Sequence, residues 1–149
     1  ALVIAAFIAR GQLPDPVASH FGAGGQADDW MARDAFLAFY VGIVAVLNVM
    51  FSGLPLLVRR LPVSMVNMPH RDYWLVPERK EATMEYLAVS LLWLGIATEV
   101  FLGLLFIEVW LANLQEGAAL SSFTWFAIAG YSGAVVWFIV AMMRRFHRP

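Results

Sequence analysis

The sequence predicts an all-α polytopic membrane protein, four transmembrane helices in one bundle and one domain, from three observations. Stretches without charge are long: residues 35–58 run 24 positions, residues 123–143 another 21, and residues 86–111 make 26 broken only by Glu99 and Glu108. A helix crossing a bilayer core needs about 20 such residues. Composition agrees, with 61% hydrophobic and 14% charged residues and a mean hydropathy of +0.71 over 149 residues. Soluble domains sit near 45–50% and 25%. Finally, cations gather in alternate polar segments: eight of the ten Lys and Arg fall within residues 59–80 and 144–148.

Each element follows in order, with spans at about residues 1–9, 35–58, 83–112 and 122–143. Residues 1–9 are apolar up to Arg10 but make only about 13 Å of helix, under half a bilayer. They read as a first span truncated at its N-terminus, since a mature start after signal cleavage is usually polar. Residues 10–34 form a loop dense in turn formers, Leu13-Pro14-Asp15-Pro16 and then Gly22, Gly24 and Gly25, expected to be structured but irregular. Asp34 is placed to cap the second helix, with Trp30 and Met31 at the membrane surface. Residues 59–76 read as extended chain interrupted by Pro62 and Pro69. Pro77 followed by Glu78 suits a helix start, and that helix is expected to run to Asn113.

Basic segments are retained in the cytoplasm. Arg59, Arg60, Arg71, Arg79 and Lys80, with Arg144, Arg145 and Arg148, therefore place the loop 59–82 and both termini inside. Only Arg10 and Arg33 lie in the loop 10–34, which is placed outside. Tyr73, Trp74 and Tyr86 are expected in the inner aromatic belt, and Trp110 and Trp125 in the outer one.

Five groups of residues invite a chemical reading. Glu99 falls midway along its span, level with Asn48 on the second span and Tyr131 and Ser132 on the fourth. A carboxylate at that depth costs a few kcal/mol and faces the bundle. Hydrogen bonding that holds helices together is the first expectation, and a proton or cation relay the second. Glu108 lies nearer the outer surface, where it is solvated or paired with the loop. His20, Asp28 and Asp29 lack the spacing of a metal site, and Phe21-Gly22-Ala23-Gly24-Gly25 lacks the strand and Lys of a phosphate loop. Asn67-Met68-Pro69-His70-Arg71-Asp72-Tyr73-Trp74 offers an interfacial anchor or a docking site for a cytoplasmic partner.

The sequence has no Cys, which excludes disulfides and thiolate chemistry within it. No Ser-His-Asp set, HExxH or acidic dyad appears, so no enzyme activity, metal or cofactor is expected. A net charge of −1 offers no field for nucleic acid.

Two segments together resemble a known family. Leu13-Pro14-Asp15-Pro16-Val17-Ala18-Ser19-His20-Phe21, with Gly25, Asp28 and Trp30, is similar to the outer-loop signature of the bacterial uncharacterised membrane domain found in SdpI-type immunity proteins. Asn67, Pro69, Arg71, Asp72, Tyr73 and Trp74 resemble that family's second block. The resemblance covers about residues 1–90. It implies a bacterial inner-membrane protein, linked in some members to resistance against a secreted peptide toxin and to signalling. On that expectation the partners are the lipid bilayer, other membrane proteins or a peptide at the outer loop. An accessory subunit of a larger membrane complex and a small proton-coupled transporter using Glu99 are the alternatives.

Overall fold

The computed structural model describes residues 1–147; Arg148, counted above among the inner cations, lies outside the described residues. The elements are α1 (Leu2–Arg10), β1 (Val17–Phe21), β2 (Ala27–Met31), α2 (Arg33–Arg60), a 3₁₀ turn (Val63–Met65), α3 (Arg71–Trp74), α4 (Pro77–Asn113) and α5 (Ser122–His147). Three of them, α2, α4 and α5, are long and apolar enough to cross a membrane, which makes this a helical membrane protein. The nine residues of α1 are shorter than a span.

α4 keeps the expected bounds, Pro77 at its first position and Asn113 at its last. Three local expectations need correction. The loop 10–34 is not irregular: β1 and β2 pair as an antiparallel hairpin, Val17 opposite Met31 and Ala18 opposite Trp30. Asp34 does not cap α2. The helix already opens at Arg33, whose N–H donates to Asp15 Oδ1 at 3.1 Å. Asp34 instead accepts two bonds from Arg10, at 3.0 and 2.9 Å. Residues 59–76 are not simply extended, because the 3₁₀ turn and α3 interrupt them. His70 takes a left-handed conformation (φ 50°) to enter α3.

The described chain divides into two compact units, residues 1–47 with 98–130 and residues 48–97 with 131–147. In the first, Ala6, Ala9, Leu13, Val17, Leu37, Tyr40, Val44 and Phe106 form the buried core. Tyr40 stacks on Phe106 with ring centroids 4.2 Å apart. Trp110, expected in the outer belt, packs half-buried against this core. At Gly103 a Cβ would come 2.9 Å from Leu2 Cδ2, so α1 and α4 meet closely there. In the second unit, Leu75, Thr83, Met84, Ala88 and Phe146 are buried. At Gly95 a Cβ would come 2.7 Å from Phe51 Cβ. Glycine at that point lets the α2 and α4 backbones approach, as small residues do in membrane helices.

Candidate functional site

The hairpin is held by groups remote in sequence. Val17 and Ala18 are fully buried, which orients β1 onto the core. A two-stranded ribbon leaves both outer edges without partners, and each edge here is met by protein. Asn113, the last residue of α4, accepts from Ala18 N–H at 2.8 Å and donates to Ala18 C=O at 3.0 Å. Its amide acts as one residue of a third strand. At the turn, Leu120 N–H donates to Gly25 C=O at 2.8 Å, and Ala27 N–H to Ala118 C=O at 3.1 Å. Gly25 has φ +78°, and a Cβ there would lie 3.3 Å from Leu120 oxygen. Both facts require glycine.

The segment that pins the turn is itself fixed by Glu108. One carboxylate oxygen accepts from Ser121 Oγ at 2.6 Å, Thr124 Oγ1 at 2.8 Å and Ser121 N–H at 3.3 Å. Glu108 is thus loop-paired, and it places negative charge at the N-terminus of α5, where the helix dipole favours it.

So fixed, the hairpin presents an acidic and aromatic surface. Trp30 is 50% exposed and Met31 37% exposed, and Asp28, Asp29 and His20 are exposed beside them. His20 Nδ1 meets Asp28 Oδ1 at 2.5 Å. This contact, with the Asp28 and Asp29 charges, raises the imidazole above its ordinary 6.5. Of the expected motif, Pro14 is exposed, Phe21 half-buried and Gly25 buried in the turn. Asn113 was not anticipated at all, because nothing near it in sequence signals a strand edge 95 residues away.

The second motif lies in the other unit. Tyr73 and Trp74 are half-buried, while Asn67, Pro69, Arg71 and Asp72 are exposed. Arg79 stacks over the Tyr73 ring at 3.9 Å and donates to Tyr73 C=O at 3.1 Å. Trp74 packs edge-on against Phe146 at 5.3 Å, and its carbonyl accepts from Thr83 Oγ1 at 3.1 Å. The aromatic pair therefore anchors α3 to α4 and α5, and leaves Arg71 and Asp72 as the free surface.

The mid-span polar residues are divided between the units. Glu99, half-buried, belongs to the first, where an electrostatic interaction links it to Tyr40. Asn48, Tyr131 and Ser132 belong to the second; Tyr131 is half-buried, Asn48 and Ser132 exposed.

The class of protein is thus set: a helical membrane protein carrying a pinned β-hairpin. Residues 1–46 match the model of a domain of unknown function, DUF1648, which takes in α1, the hairpin and the first half of α2. The block 67–74 lies beyond that match. No curated protein and no solved structure matches the chain.

Proposed function

We propose that the chain is a non-enzymatic bacterial inner-membrane protein of the SdpI-like type, with a toxin-immunity or signalling role exercised through its hairpin. In this reading the hairpin faces outward and both termini are cytoplasmic, the side that the eight clustered cations favour. The observation that carries the proposal is the fixed presentation of Trp30, Met31, Asp28 and Asp29. A large aromatic beside carboxylates on a preorganised backbone suits a cationic, amphipathic peptide. Aromatic anchors supply binding energy, acids steer the approach, and rigidity lowers the ordering cost.

The test expresses the full chain in a susceptible bacterium challenged with cationic secreted peptides. Cells carrying the chain should survive doses that kill the parent, and Trp30→Ala should abolish most of that protection while membrane levels stay equal. Equal survival with and without the chain rejects the reading.

An accessory-subunit role is the second reading, favoured by α5, whose most apolar stretch has no buried residue. A stoichiometric complex on purification would support it. A transporter using Glu99 is the third; unchanged flux in Glu99→Gln would dismiss it.

A further inference from the structure

Within the second unit, α4 and α5 leave a cleft of about 520 Å³ lined by residues that include Tyr86, Trp93, Trp137, Phe138 and Met142. It is followed by a smaller pocket of about 130 Å³ that includes Ala97 and Tyr131. On α4 the lining recurs at three- and four-residue steps from Tyr86 to Ala97, a single face. That stripe is about 16 Å long, close to half of a hydrocarbon core about 30 Å thick. Its length is that of one leaflet.

The Tyr86 end of the cleft is cationic. Arg145 lies over the Tyr86 ring at 3.9 Å and near Trp74 and Phe146 at 6.0 and 5.9 Å. The ring holds the guanidinium by its face, which leaves the in-plane N–H fork available for a bidentate oxyanion. Among the described residues, neither Arg145 nor its exposed neighbour Arg144 has an acidic partner. Arg59 in the same unit, by contrast, is paired with Glu85 at 2.7 Å.

We propose that this cleft binds an anionic phospholipid, with the phosphate on Arg145 and an acyl chain along Trp93 and Trp137. An apolar slot as long as one leaflet, with a cation lacking an acidic partner at one end, matches both parts of such a molecule. Basic pockets between membrane helices take anionic headgroups in this way.

The test reconstitutes the full chain in phosphatidylcholine vesicles containing a minority of phosphatidylglycerol. A trace of either lipid carries a photoreactive acyl chain. Adducts of the phosphatidylglycerol probe should concentrate in peptides covering residues 86–97 and 131–145, about fivefold above the phosphatidylcholine probe, as expected for one surface arginine. Arg145→Gln should bring that ratio near one, whereas Arg59→Gln should leave it unchanged. Should Arg145→Gln not fold, Arg145→Met keeps an apolar stem over Tyr86 without the charge, and the ratio should again fall near one. Equal labelling by both probes overturns the proposal, as does full preference in Arg145→Gln or Arg145→Met. Chain-to-chain crosslinks at these peptides in place of lipid adducts would show a second copy in the cleft and overturn it too.

Discussion

The two units are held by different chemistry. The hairpin unit is closed by backbone accounting: Asn113, Glu108, Asp15 and the carbonyl of Ala118 each take a group that the ribbon or a helix end leaves unpaired. The arginine-rich unit is closed by ring faces, with Arg79 on Tyr73, Arg145 on Tyr86 and Trp74 on Phe146. Hydrogen bonds are directional and costly to leave unmade, so the first scheme fixes one geometry. At Arg145 stacking satisfies the guanidinium's face and leaves its edge open, so the second scheme keeps donors in reserve for a ligand there. One unit is built to present a fixed surface, the other to receive an anion.

The comparison breaks most visibly at Asn113. Asn113→Ala should lower unfolding stability in detergent by about 3 kcal/mol, because both backbone groups of the buried Ala18 lose their partner. Limited proteolysis should then cut within residues 22–26 first. Gly95→Ala tests the other unit: with Phe51 Cβ and Cγ at 2.7 and 2.8 Å from the new methyl, the helices must part, at about 2 kcal/mol. Gly103→Ala is its internal control, since it meets only the tip of Leu2, and a loss below about 1 kcal/mol is expected. Smaller still, Arg59→Ala should change stability by under about 0.5 kcal/mol, because its pair with Glu85 is roughly half exposed on both sides.

The last test is one of pH rather than stability. His20 should titrate above 6.5 by NMR, and Asp28→Asn should return it toward that value. Because the folded value is raised, the His20–Asp28 attraction is fully present below 6.5 and is lost as pH climbs through the folded value. An unchanged midpoint in Asp28→Asn would remove the pairing from the account.

Much of the helical frame was legible in the sequence, and the reason is length. α4 could be read to its first and last residues because Pro77-Glu78 punctuates its start and 26 nearly uncharged residues follow from Tyr86. The hairpin could not, since Ala27-Asp28-Asp29-Trp30-Met31 has little strand propensity. Its pairing depends on buried Val17 and Ala18 and on partners from residues 113–120. Capping of α2 was misassigned for a similar reason: Arg10, 24 positions away, competes for Asp34 and leaves the helix end to Asp15. Of the site, the exposed Trp30 and the His20–Asp28 pair fall inside a recognisable motif, whereas Asn113 carries no local sign of its role. Short-range patterns reveal spans; contacts across a hundred residues do not announce themselves.

Gly24 sits at the hairpin tip with nothing within 4 Å of where a side chain would begin, and the chain carries no cysteine of its own. A single Gly24→Cys replacement therefore supplies a unique thiol on a spot that tolerates a bulky label. Reacted in intact cells with a maleimide too polar to enter them, it reports directly which compartment the ribbon occupies. The same thiol, carrying a fluorophore, would register a peptide arriving at Trp30 six positions away.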